Sequence, residues 1–276
     1  MTSQATVKTS PPAADVEGFI NLLSSSYLNV PLTTAFVTEI DSATSSSPAP
    51  PIDSARLHAH FSLGIPLACK SNILLSSIPA STARSPAPAD TAFLAAALIE
   101  PPSFVGVPPS QARKNPGPVL AEYRATVRGL KAKYLGLPDT GPRSWDQPAA
   151  PSQSSSGPSE DPYPGDFNKD IDFETRPFYH LAMVGRQQGL SGEDEEKAQG
   201  AVDAVVKPIV DKSRQEGVPV WTEASTEASK AERERWGFRV AEEVVVGKGK
   251  VDAKGFPKQG GEGVRVWAMI LDDHLG

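Results

Sequence analysis

Two carboxylates stand where an apolar run stops, a position from which a side chain can take up a proton. Glu100 follows the apolar stretch 92–99 and precedes Pro101-Pro102, and Glu223 lies near the end of Val-Pro-Val-Trp-Thr-Glu-Ala, 218–224. At a strand end facing a cleft, desolvation raises the pKa of such a group toward the range of a working base. Other reactive side chains are few. Cys69 is the single cysteine, so internal disulfides and cysteine-based metal sites are excluded, and its Leu-Ala-Cys-Lys setting predicts a buried small hydrophobe. The four histidines, at 58, 60, 180 and 274, are scattered, and His58 and His60 fall on different faces of a helix. No metal is expected. The run Glu193-Asp194-Glu195-Glu196 gathers four carboxylates just ahead of a helical pattern, where the helix dipole favours negative charge.

Positioning these groups takes a series of short elements. Residues 1–14 are polar and proline-bearing and are expected to be disordered. Asp15 is a candidate N-cap for a helix carrying Val16, Phe19, Ile20, Leu22 and Leu23, and a second short helix is expected over 32–40. Leu57, Phe61, Ile65 and Leu67 have near-helical spacing, with Ser54 as N-cap and with Gly64 and Pro66 weakening the end. Strands are predicted over 72–78 and 92–99, and an amphipathic helix over 118–135.

The segment 136–170, rich in Pro, Ser and Gly, buries too little apolar surface to offset its ordering entropy. After it the pattern alternates: a strand over 178–184, a helix over 197–216 containing Pro208 and ended by Gly217, a strand over 218–224, a charged helix over 227–236, and strands over 238–246 and 264–271. That order predicts an α/β fold around a mixed sheet. Trp221, Trp267 and Tyr179 are expected in the core.

The 276 residues include 27 basic and 33 acidic side chains, a net charge of -6 that offers no general attraction to nucleic acid or anionic lipid. No apolar stretch reaches the roughly 18 residues of a membrane span, and the N-terminus lacks a secretory pattern. A soluble cytoplasmic protein with no nucleic-acid or membrane partner is expected; nothing specifies an oligomeric state.

The stretch 206–225, Val-Lys-Pro-Ile-Val-Asp-Lys-Ser-Arg-Gln-Glu-Gly-Val-Pro-Val-Trp-Thr-Glu-Ala-Ser, followed by Trp236-Gly237-Phe238, resembles the GNAT N-acetyltransferase superfamily. One common branch of it sets a helix, a Gly-Val-Pro link, a strand ending Glu-Ala-Ser and an aromatic-Gly-Phe turn in this arrangement. The resemblance implies a GNAT acyl-CoA N-acyltransferase fold, a mixed and mostly antiparallel twisted sheet flanked by helices. It makes 15–276 a single domain, with 136–170 as a flexible insertion. It also implies acetyl-CoA as co-substrate and the amine of a small molecule as acceptor.

Residue by residue, the resemblance assigns the pantetheine arm to the backbone around Met183, Val184 and Gly185. The pyrophosphate would lie at a Gln/Arg-x-x-Gly-x-Gly/Ala loop, for which 197–202 (Lys197, Gln199, Gly200, Ala201, then Val202) is preferred, with 186–191 as the other register. The family's acid, commonly a tyrosine four residues before the glycine of the turn, is Arg233 here, and the usual nearby asparagine is Ser229. Arginine does not give up its proton at neutral pH. Glu223 and Glu100 are the candidate bases. These departures also motivate a second expectation, a catalytically degenerate GNAT-like binding or regulatory protein.

Overall fold

A computed structural model describes residues 4–42, 51–70, 73–80, 92–104, 117–136 and 175–273. The expected insertion at 136–170 lies almost wholly outside them. A seven-stranded sheet runs in the order β1-β2-β3-β4-β5-β7-β6. Its strands are β1 (Thr6–Thr9), β2 (Leu74–Pro79), β3 (Phe93–Glu100), β4 (Tyr179–Arg186), β5 (Val220–Ala224), β6 (Arg239–Val246) and β7 (Val264–Leu271). All neighbours pair antiparallel except β4 and β5, which are parallel.

The central strands are buried on both faces, and their alternation decides what each helix covers. In β3, Ala95, Ala97 and Ile99 point to one side and pack with Ala201, Val205 and Ile209 of α6 (Glu193–Glu216). The intervening Ala96 and Leu98 point to the other side, against Phe19, Leu22 and Leu23 of α1 (Ala13–Ser26) and Leu57 and Phe61 of α3 (Ser54–Ser62). Removing each of the larger of these side chains, the Val, Leu, Ile and Phe, from water contributes about 1.5–3 kcal/mol. The short α4 (Ile65–Ala68) follows the break at Gly64, and α2 (Pro31–Ser42) packs with α5 (Pro118–Leu135). Along α5, Leu130 and Leu135 meet Trp221 of β5 and Ile270 of β7.

α6 runs unbroken through Pro208 and ends at Gly217, whose φ of +65° is the left-handed conformation that closes a helix at least cost when no Cβ is present. The last helix, α7 (Glu227–Arg235), starts on Thr226, whose hydroxyl accepts the Ser229 N–H while the Ser229 hydroxyl accepts the Thr226 N–H, a reciprocal capping box.

Three expectations are corrected. Residues 1–14 are not wholly without structure, because β1 pairs along β2 from Thr6↔Ser77 to Thr9↔Leu74. The helix containing Leu57 is capped by Asp53, whose carboxylate accepts the Arg56 N–H at 2.8 Å, and it does not reach Cys69 as one piece. Most consequential for the site, α6 begins at Glu193, four residues before the expected 197: the acidic run is its first turn, on the positive end of the dipole. No helix among the described residues is long and apolar enough to cross a membrane.

Candidate functional site

β4 and β5 pair over two rungs, Tyr179↔Val220 and His180↔Trp221, and then part. Beyond the second rung the Thr222 hydroxyl takes the place of a backbone donor, reaching Leu181 O at 2.9 Å. Ala182 is an extra residue in β4, since Leu98 pairs with Met183 and Ile99 with Leu181. A bulge of this kind bends a strand and re-aims its side chains. The gap opens into a cavity of about 540 Å³ between β4, β5, α7 and the α1–α5 side of the sheet. Aromatic and aliphatic groups such as Phe36, Phe61, Phe104, Leu120 and Tyr123 line much of it.

At the apex of this wedge stands a chain of buried ionisable groups. His180 Nδ1 is 2.7 Å from Glu100 and its Nε2 is 2.9 Å from Glu223. The second oxygen of Glu223 accepts the Trp221 indole N–H at 2.6 Å. Side-chain exposure is 12% for His180, 14% for Glu100 and 8% for Glu223. Burial and the nearby Lys131 ammonium push His180 down, but the charges of Glu223 and Glu100 outweigh them and carry it up to about 9. Burial alone would lift Glu223, yet the His180 charge and hydrogen bond, with Lys131 and Trp221 adding to them, hold it at about 2.

The expected rise in the pKa of Glu223 is thus reversed. A carboxylate with both oxygens engaged and a pKa near 2 is a fixed counter-charge, ill suited to accept a proton. Glu100 differs: one oxygen meets His180, and no hydrogen bond to the other is formed by the described residues. Sequence reasoning placed both glutamates but missed His180, which sits inside the apolar run Phe-Tyr-His-Leu-Ala-Met-Val. The usable signal was that an ionisable group in a buried strand demands a partner.

Met183, Val184 and Gly185 line the cavity, on the strand edge that β5 leaves. Part of that edge is taken by α1. The Arg186 N–H donates to Ser26 Oγ at 3.1 Å, and the Tyr27 phenol interacts with the Val184 backbone. Arg233 and Ser229 also line the cavity, although the Ser229 hydroxyl is committed to the capping box.

Of the preferred 197–202 register, Val202 lines the cavity from the core side. Lys197 pairs with Asp194 at 3.0 Å, and Gln199 donates to Glu232 at 3.1 Å. Gly200 has open space where a Cβ would go, and Ala201 and Val202 are packed in the core. The amides of 197–201 lie inside a helix, where they serve the i→i−4 ladder and cannot face a phosphate. The segment that does enter the helix start is 187–192, with Gly189 at φ +76° and Gly192 at φ +57°, and Gln188 reaches the cavity. Beside it Arg186 is paired with Glu195.

Cys69 is buried and its thiol is raised to about 11 by desolvation, as a core residue. Trp221, Trp267 and Tyr179 are core as well. Among the described residues no group of three or more His, Cys, Asp or Glu is arranged to hold a metal ion.

Neither family models nor curated proteins give a match to this sequence. Solved structures do. The C-terminal condensation domain of Ebony in complex with beta-alanyl-dopamine is 8% identical, with 98% of this chain and 99% of that one covered and a TM-score of 0.53. An agmatine N-acetyltransferase mutant is 12% identical over 98% and 99% at a TM-score of 0.46, and the polyamine N-acetyltransferase of Drosophila melanogaster 12% identical over 97% and 99% at 0.47. At such identities the likeness concerns the fold. A helix-flanked, mostly antiparallel mixed sheet is the arrangement the sequence resemblance implies, and the chain shares its fold with the condensation domain.

Proposed function

We propose that the chain is an acetyl-CoA-dependent N-acetyltransferase acting on the amine of a small molecule. The observation that carries this reading is the parted β4–β5 pair with the Glu100–His180–Glu223 chain at its apex. The cavity and the free edge of β4 suit a pantetheine arm, whose amides pair with a strand edge as an added strand does. Glycines at 189 and 192 suit a turn ahead of a helix start that faces the pyrophosphate. Acetyl-CoA would supply an acetyl group already activated as a thioester.

The chain's own residues account for the acceptor side. With His180 protonated below about pH 9, the three groups at the apex sum to one net negative charge in a desolvated setting, which attracts a cationic amine. The ammonium first gives up one proton to solvent. Glu100 then takes a second proton from the neutral amine as its nitrogen bonds to carbon, and His180 holds that carboxyl in place by the hydrogen bond to its other oxygen. Glu223 and Trp221 orient His180. The apolar walls exclude water and hold the non-reacting part of the acceptor.

Calorimetric titration with acetyl-CoA, followed by thiol release with a panel of amines, tests the reading. Micromolar binding and turnover with at least one amine is expected. Binding without turnover would leave a GNAT-like binding protein, and no affinity for acetyl-CoA would end the proposal.

A further inference from the structure

Arg233 is the only buried residue of α7, 6% exposed, on a helix whose other charged groups are half-buried or exposed. Its Nε donates to Thr222 Oγ1 at 3.2 Å and its Nη1 to Ser229 O at 3.0 Å. Thr222 is the residue whose hydroxyl fills the first missing rung between β4 and β5, so the guanidinium stands directly beside the apex of the wedge. Among the described residues it forms no ion pair, although Lys230 and Arg235 of the same helix do. A desolvated cation left without an anion is costly, and such a group is retained where an anion arrives.

On the acyl-transfer reading the arriving charge is not the pyrophosphate. A donor laid along β4 with its phosphates at the α6 start, beyond Arg186, would have its thioester at the apex, beside Thr222 and Glu223. The run from Leu181 to Arg186 spans roughly 17 Å at the rise of an extended strand. Two atoms at the apex gain negative charge: the carbonyl oxygen, transiently, which a strand-edge N–H can receive, and sulfur, which keeps its charge once the C–S bond breaks. Resting on the acyl-transfer reading above, we propose that Arg233 is a catalytic residue that receives the leaving sulfur as a thiolate, with no proton donor required.

The transfer balances without an acid at this position. The N–C bond forms with the amine lone pair, the C–S bond breaks, its electron pair stays on sulfur, and the amine proton goes to Glu100. Arg233 holds the anion by charge-assisted hydrogen bonding until product leaves, and solvent then protonates it. The groups around the guanidinium are Tyr27 from the end of α1, Glu232 on α7, Glu223 on β5 and Tyr123 on α5. None pairs with it; burial lowers its pKa, and the Glu232 and Glu223 carboxylates oppose that, while both phenols are themselves raised and neutral.

The test is calorimetry of the wild type with free coenzyme A and with its S-methyl thioether, from about pH 7 to 10, spanning thiol ionisation. His180 titrates in the same window, but the loss of its positive charge can only oppose a thiolate, so a rise in the ratio of their affinities is not its doing. The ratio is expected to rise about tenfold in favour of coenzyme A as the thiol ionises, with the thiolate absorbance of the bound ligand appearing at lower pH than in free solution. In R233Q the rise should vanish while thioether affinity is kept, and in R233K part of it should return. The wild-type measurement stands whether or not the variants fold. A ratio flat with pH would overturn the role of Arg233 and leave acyl transfer standing. Turnover lost in Y27F together with a flat ratio would assign the leaving group to Tyr27. Failure of both ligands to bind at any pH removes this proposal and the proposed function together.

Discussion

The two ends of β4 are built on opposite principles. At its start, His180 is held between two carboxylates with little access to solvent, and Arg233 donates to Thr222, the chain neighbour of Glu223. At its end, the strand leaves Arg186 through a glycine turn into a helix whose first four residues are all acidic, and Glu193 there is 92% exposed. Charges at the first end are few, desolvated and individually bonded; charges at the second are many, solvated and of one sign. In low dielectric each charge acts strongly on its neighbours, whereas in water charges of this kind are screened within about 10 Å. On the proposed function, chemistry is concentrated at the apex, while the helix start would grip a donor's phosphates only weakly.

The sharpest way to break this contrast is to remove His180. His180→Ala leaves two carboxylates buried without their shared cation, and the cost of stranding buried charge is about 3–5 kcal/mol. Urea denaturation should show it as a lowered midpoint with the slope unchanged. A loss under ~1 kcal/mol would mean that the apex is wetter than its burial implies. Next comes Glu100→Gln, which keeps shape and a hydrogen bond to His180 but removes the proton acceptor. A drop in kcat of roughly a hundredfold or more, with KM for acetyl-CoA little changed, is expected. Unchanged kcat would move the base elsewhere.

The pH dependence of stability follows from the same pair. His180 is raised to about 9 from 6.5, so its contribution is complete below about pH 6.5 and is lost as pH climbs through 9. Glu223 is lowered to about 2 from 4.5, so its contribution is complete above about pH 4.5 and is lost as pH falls toward 2. Stability should therefore be greatest between roughly pH 4.5 and 6.5, and His180→Ala should flatten the alkaline side. A wild-type curve that stays level from pH 7 to about 10 would contradict the protonated bridge.

How much of this could be read from the sequence differs between the same two regions. α5 over Pro118–Leu135 and β7 over Val264–Leu271 match their expected bounds, because an apolar stripe and an apolar run each declare one buried face. β1 escaped notice because four residues, Thr-Val-Lys-Thr, show no buried face, and Val7 is itself exposed on the sheet edge. The first turn of α6 was missed for a similar reason: a stretch polar all round has no hydrophobic period, and its helicity comes from the dipole and from packing further along. At the apex, both glutamates were legible as strand-end carboxylates. Their convergence on His180 was not, because it depends on the registers Glu100↔His180 and His180↔Trp221, which only strand pairing defines.

The smallest expected effect sharpens the other end. Neutralising exposed carboxylates at the start of α6, as in Glu193→Gln with Glu196→Gln, removes two charges that repel a donor's phosphates and leaves the Arg186–Glu195 and Lys197–Asp194 pairs intact. Donor affinity should rise about threefold at low salt, and the difference from wild type should disappear near 1 M salt, where screening acts within about 3 Å. Wild-type affinity for acetyl-CoA should itself increase as salt is added, the reverse of what a basic phosphate cradle gives. The same substitutions weaken the helix, since acidic groups stabilise its first turn. A variant that binds its donor more tightly while melting earlier would show that this acidic turn serves the fold at the donor's expense, whereas affinity falling on neutralisation would place the phosphates away from α6 altogether.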